Sequence, residues 1–279
     1  MNNTLERKQR AVEWACGPVR KVEAGDGKYH LIDGNTGRII SDVSKRYELV
    51  PNEKVFKPFV EQFGLENLKR FFQYGNGKYT YAEFNTGRTF NLGTDEAPDI
   101  VDERLIVQNS YNKTRAFAFM YGAFRHVCTN GLYSGQAVIA FRKKHVGDIP
   151  VDGMIQTVFN SYQENNFDLW RKLKEATLSK DEEIALVNDF QAYEVKNTEA
   201  NSAYWDRNSN KQVNNRIKSL AARYIEKPES IDNQRNAWGL YNQINRAISG
   251  IVDGRSQVNK VILGNKNAEI YLSGKLNLN

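Results

Sequence analysis

Apolar residues change their period at Pro150, and this constrains the fold more than any other feature of the 279-residue chain. Before it, runs such as RLIVQNSY (104–111) and AFAFMYGAFRHVC (116–128) alternate or run apolar with β-branched and aromatic residues, the pattern of sheet strands. TNG (129–131) then supplies a turn before QAVIAFRKKH. Beyond Pro150, Ile155, Phe159 and Tyr162, then Leu169, Leu173 and Ala176, recur at helical intervals. Ser179 stands three residues before Glu182, a capping box that opens another helix, and further helices are expected over 210–226 and 232–248. The last stretch, VNKVILGNKNAEIYLSGKL, reads as a strand pair or a tail. Strands first and helices afterwards predict an α+β fold. Its β-rich part would cover 1–150, and a helical part over 151–279 would pack on it as one cooperative unit.

The β-rich half contains a near-repeat. GKYHLIDGNTGRII (27–40) and GKYTYAEFNTGRTF (77–90) share GKY, five residues and NTGR at an offset of fifty. In each, a β-prone run meets an Asn-Thr-Gly turn and a second β-prone run, which predicts two hairpins. Duplication and turn chemistry reached twice both account for the pattern. Between the copies, Val55, Phe59 and Phe63, then Leu68, Phe71 and Phe72, approach a helical stripe. Asn52 is a candidate cap and Pro58 an expected interruption, and a helix laid over a sheet follows.

Composition narrows the chemistry. A mean hydropathy of −0.64 and the lack of an apolar window of about 18 residues speak against a membrane-spanning helix. MNNTLERKQRAVEW has no signal-peptide core, so a cytoplasmic setting is expected. Cys16 and Cys128 suit reduced thiols, and no CxxC or HxxxH spacing starts a metal site. No GxxxxGK[ST] loop supports nucleotide hydrolysis. No metal or other cofactor is therefore expected.

Charge is distributed unevenly. Residues 1–150 carry 22 Lys and Arg against 17 Asp and Glu, and from Arg104 to Gly147 there are seven cations and no acid. Tyr111, Phe117, Phe119, Tyr121, Phe124, Tyr133 and Phe141 lie among them. Single-strand binders combine cations that follow phosphates with rings that stack on bases. About half of these rings must be sheet core: with Phe117, Phe119 and Tyr121 on one face, Ala116, Ala118 and Met120 take the other. Lys113, Arg115, Arg125 and the triplet Arg142, Lys143 and Lys144, at an unstructured basic tip, are the candidate phosphate ligands. Tyr111 and Tyr133 are the candidate stacking rings.

Two catalytic readings carry less. His126 and Cys128 share a strand face roughly 7 Å apart, with Asn130 on the same parity. A row of that kind does not converge on a substrate atom, so both read as packed residues. The acids of PDIVDER, Asp99 and Glu103 among them, suggest a metal nuclease, but acids in a Pro-containing loop are more often solvated.

Three segments carry a resemblance: SDVSKRYELVPNEKVFKPF (41–59), QNSYNKTRAFAFMYGAFRHVCTNGL (108–132) and QRNAWGLYNQINRAISG (234–250). In order and spacing they resemble a phage- and plasmid-related family of a domain of unknown function. The family's last helix carries Thr-Glu where this chain has Asn245 and Arg246, so no acid is transferred to it. By analogy the chain is similar to single-strand annealing recombinases of the RecT, Redβ and Erf kind. The likeness implies a homo-oligomeric ring or filament that holds single-stranded DNA in a basic groove. The other expected functions are a mobile-element protein that binds and blocks or redirects a host factor, and the metal-dependent nuclease.

Overall fold

A helix opens the chain: α1 (Asn2–Ala15) precedes β1 (Val19–Gly25), β2 (Lys28–Asp33) and β3 (Ile39–Ser44), an antiparallel sheet in the order β1-β2-β3. After α2 (Asn52–Phe63) come β4 (Leu68–Tyr74), β5 (Tyr79–Asn91), β6 (Ile100–Ser110), β7 (Phe117–Arg125), β8 (Gly131–Leu132) and β9 (Phe141–Lys143). They form a six-stranded sheet in the order β4-β5-β6-β7-β8, with β9 antiparallel to β7. The remaining described elements are the helices α3 (Val151–Ser161), α4 (Asp168–Glu175), α5 (Lys180–Ala200), α6 (Ala237–Ile251) and α7 (Val258–Lys275). The fold is α+β. The computed structural model describes residues 2–96, 98–113, 116–125, 131–132, 141–161, 168–200, 215, 219, 226, 235–251 and 258–278.

Packing divides the chain into two compact units. The first takes Met1–Arg88, Glu103–Tyr121 and Ile139–Asn165, and the second Thr89–Asp102, Gly122–Val138 and Asn166–Asn279. The change of period at Pro150 coincides with the start of α3, which belongs to the first unit.

In the first unit α2 covers the sheet, as its apolar stripe predicts. Phe59 lies 4.9 Å from Phe119, 5.1 Å from Phe159 and 6.2 Å from Phe84, ring centre to ring centre. Phe117 and Phe119 are 4.7 Å apart, while Ala116, Ala118 and Met120 are buried as well. The helix does not break at Pro58. A proline within a helix costs about 3 kcal/mol, and buried Phe56, Phe59 and Phe63 hold the chain in register on both sides of it. Leu68, Phe71 and Phe72 do not extend the helix but lie on β4, because Gly64, at φ 79°, ends α2 with its N–H on the Val60 carbonyl.

The near-repeat is larger than its motif. Helix, strand and strand recur fifty residues apart: α1, β1 and β2, then α2, β4 and β5. Both hairpin turns carry three successive residues of positive φ, Gly25, Asp26 and Gly27 in one and Gly75, Asn76 and Gly77 in the other. The NTGR stretches then diverge. At Gly37 the chain reverses, its N–H on the Asp33 carbonyl at 2.7 Å, and the predicted hairpin forms. At Gly87 it does not: β5 runs on to Asn91, so the second predicted hairpin is replaced by one continuous strand. Its true hairpin partner is β4.

The second unit is built on α4 to α7, with buried Trp170, Leu173, Trp238, Tyr241 and Leu272 at its centre. The capping box is present, with Glu182 N–H on Ser179 Oγ at 3.2 Å and Ser179 N–H on Glu182 Oε2 at 2.7 Å. VNKVILGNKNAEIYLSGK is a helix rather than a strand pair, because Ala268, Tyr271 and Leu272 bury one helical face. The helix expected over 210–226 lies almost wholly outside the described residues.

Candidate nucleic-acid interface

Lys45 and Arg46 lead into Tyr47, and this tyrosine organises one end of the first unit. Its hydroxyl donates to the Ser110 carbonyl at 2.8 Å, and its ring stacks on His145 with centroids 5.0 Å apart. Lys21 Nζ donates to its carbonyl at 2.7 Å. Tyr47 also bridges to Val146, and the Glu48 N–H donates to the His145 carbonyl at 3.0 Å. These contacts tie His145 and Val146 to Tyr47 and Glu48. Burial pushes the Tyr47 phenol well above its ordinary range, helped by Tyr111. Burial also holds His145 below its ordinary value, with the Glu48 carbonyl opposing. Both rings are uncharged near neutral pH.

Asn52 is the second organiser, and it is not a side-chain helix cap. Its N–H donates to the Tyr111 hydroxyl at 2.7 Å, and its Nδ2 donates to the Ala15 carbonyl at 2.8 Å and to Thr80 Oγ1 at 3.0 Å. Its Oδ1 accepts from Asn109 Nδ2 at 2.8 Å. Tyr111, expected to offer a stacking face, is therefore corrected. It is 1% exposed, packs with Leu31, Ile40 and Val43, and accepts at its carbonyl from Ser41 Oγ. A ring committed to a core has no face left for a base.

The expected cations divide. Lys113 is exposed, at φ 65°, in the connection between β6 and β7. Lys143 pairs with Phe117 and is half-buried, and Lys144 is exposed. Arg142 pairs with Ala118 in β9, and Arg125 is the last residue of β7. Arg115 and Tyr133 lie outside the described residues, as do His126, Cys128 and Asn130. Arg142 and Lys143 are thus not an unstructured tip but part of strand β9, and His145 beyond them is buried. Arg104, counted among the seven cations, is 8% exposed and paired with Glu83.

Three exposed cations escaped the sequence reading: Lys45, Arg46 and Lys78. The Lys78 carbonyl accepts from the Tyr111 N–H at 2.8 Å, which brings the β4–β5 turn beside the Lys113 connection. The available signal was the SKRY tetrad, 64 positions before Tyr111 in sequence and joined to it only in the fold. Glu48 and Asp148 are exposed acids in the same region.

The two acids of the nuclease reading are engaged. Glu103, fully buried, accepts from Thr86 Oγ1 at 2.7 Å and pairs with Arg88 at 3.4 Å. Asp99, buried in the second unit, accepts from Trp238 Nε1 at 2.9 Å and lies 3.8 Å from Lys174. Among the described residues, no three His, Cys, Asp or Glu side chains gather as a metal ion requires.

A family model described as Domain of unknown function (DUF932) matches residues 39–259. The chain belongs to this family. The DUF932 match takes in Tyr47, Asn52, Tyr111 and His145, so the bonds that join 41–52 to 109–111 and 145 lie inside it. It begins in β3, leaving α1, β1 and β2 outside. No solved structure matches the chain.

Proposed function

We propose that this DUF932 protein binds single-stranded DNA and holds it for pairing with a complementary strand. It would act as a homo-oligomer in the cytoplasm, without nucleotide hydrolysis. Support comes from one observation: exposed Lys45, Arg46, Lys78, Lys113 and Lys144 come from four stretches of sequence to the region around Tyr47 and Tyr111. Cations gathered by folding rather than by a run of sequence are what a backbone-tracking groove requires. Base pairing supplies the free energy of annealing, which agrees with the lack of a phosphate-binding loop in the sequence. The segments that resemble a phage- and plasmid-related family agree with such a role in recombination.

Fluorescence anisotropy of a labelled single strand and of the matching duplex, across a salt series, tests the reading. Tighter binding of the single strand is expected, with log K against log salt falling at a slope near −4 for about six phosphates. Changing Lys113 and the 142–144 triplet to alanine should weaken binding and flatten that slope. Unchanged affinity in this variant overturns the assignment. No affinity for either nucleic acid, with one host protein recovered in stoichiometric amount, favours the host-factor reading instead.

A further inference from the structure

We propose that the outer edge of β1 pairs antiparallel with β1 of a second copy of the chain, Val22 against Val22 across a two-fold axis. The inference rests on the homo-oligomer of the reading above, though not on its DNA. β1 is an end strand: it pairs with β2, and among the described residues no strand takes its other side. An end strand presents unpaired N–H and C=O groups that a further strand can satisfy. Arg20, Val22, Glu23, Ala24 and Gly25 are exposed along it, and Lys21 is half-buried.

The register of the sheet assigns each side chain a face. Lys21 lies opposite Leu31 and Glu23 opposite Tyr29, on the face that buries Leu31 and Val43. Val22 lies opposite His30 on the other face, where His30 pairs with Asp42 at 2.6 Å and Val22 is 43% exposed. Residues directly opposite in an antiparallel pair share a face, so a two-fold axis through such a join passes through a residue and not between two. Centred on Arg20, Lys21 or Glu23, the axis brings two like charges together. Centred on Val22, it brings two valines together, and Lys21 of each copy meets Glu23 of the other. Opposite charges facing across strands stabilise a pair, and like charges destabilise it.

Both members of that contact are placed for it. Lys21 Nζ donates to the Lys45 carbonyl at 2.9 Å and to the Tyr47 carbonyl at 2.7 Å, and it lies 4.9 Å from the centre of the Tyr29 ring. An ammonium has three N–H donors, so one is left over, and a side chain already held loses little entropy on pairing. Glu23 is exposed and has no ion pair among the described residues. The register shift between Glu23 and Gly25 falls beyond the central positions and keeps the join short. A contact that uses the same edge of both copies closes at two, so it yields a dimer and not a filament.

The test uses the full chain without DNA. Sedimentation velocity across a wide range of protein concentration should show a monomer passing to a dimer. Glu23→Lys faces like charges in both symmetry-related contacts and should weaken that association at least about tenfold. Opposite Cα atoms in an antiparallel pair stand about 4.5–5.5 Å apart, within disulfide range. Val22→Cys, oxidised with diamide, should therefore give a disulfide-linked dimer above the background of the wild-type chain treated alike. Arg20→Cys should not, since its two copies would stand roughly 13 Å or more apart along the strands. These positions are exposed, so far-UV circular dichroism should be unchanged. A dimer that Glu23→Lys leaves intact and Val22→Cys does not link overturns this edge and leaves the homo-oligomer standing. A wild-type chain that sediments as a monomer at every concentration brings down the homo-oligomer and this contact together, while the anisotropy series alone decides DNA binding.

Discussion

Asn52 bonds through its backbone N–H and both polar atoms of its side chain while 1% exposed. Removing that side chain takes the acceptor from one of the two Asn109 Nδ2 hydrogens, the other being held by the Val50 carbonyl at 2.8 Å, and takes the Asn52 donor from the Ala15 carbonyl; an unmet buried group costs about 1–3 kcal/mol. Asn52→Ala should therefore lose about 3 kcal/mol of stability in urea unfolding. Asn52→Asp should also destabilise, because an acceptor would face the Ala15 carbonyl. His145 carries a pH dependence of definite sign. Burial holds its folded-state value below the ordinary 6.5, so the unfolded chain takes up the proton first. The histidine's contribution is complete above 6.5 and is lost as pH falls through that value toward the folded-state one. Unfolding midpoints should fall as pH is lowered from about 7 to about 5, and His145→Gln should flatten that fall. His145 Nδ1 meets the Glu48 carbonyl at 3.2 Å, whereas the buried Nε2 has no hydrogen-bond partner among the described residues, so a second ring proton would be buried without an acceptor.

At the scale of elements, α2 joins two parts of one core through Phe59. Its ring meets β5, β7 and α3 at once, so Phe59→Ala should cost about 3–5 kcal/mol and lower the thermal midpoint accordingly. The NTGR stretches show what local chemistry does and does not decide. In both, the Arg N–H faces the Thr Oγ1 at 3.4 Å and the Gly φ is positive, at 70° and 85°. One nevertheless reverses the chain and the other stays inside a strand. The difference lies in the partners: β2 finds β3 across its turn, whereas β5 lies between β4 and β6. Sheet pairing, not the tetrapeptide, sets the outcome.

At the scale of the molecule, the buried acids Glu103, Asp99, Glu269 and Glu183 are each held by donors, and among the described residues no acids gather for a metal. Glu103 is bound by Thr86 and Arg88, Asp99 by Trp238 and Lys174, Glu269 by Trp170 Nε1 at 2.9 Å, and Glu183 by Arg235. Incubated with DNA and Mg²⁺ or Mn²⁺, the wild-type chain should leave the substrate uncut, and Asp99→Asn and Glu103→Gln should change nothing. Cleavage by the wild type that either variant abolishes would restore the nuclease reading. No helix among the described residues is long and apolar enough to cross a membrane, as the hydropathy pattern implies.

The sequence by itself determined what depends on near neighbours. The change of period at Pro150, the apolar stripe of α2, the capping box at Ser179 and the first hairpin all rest on spacings of a few residues, where backbone geometry links pattern to structure. Tertiary structure alone decided the fate of each polar or aromatic side chain. Tyr111 went into a core because Asn52, 59 residues away, meets its hydroxyl. Arg104 was taken by Glu83, and Lys45, Lys78 and Lys113 were assembled from distant stretches. Burial and hydrogen-bond partnership are properties of pairs far apart in the chain, and no local period encodes them.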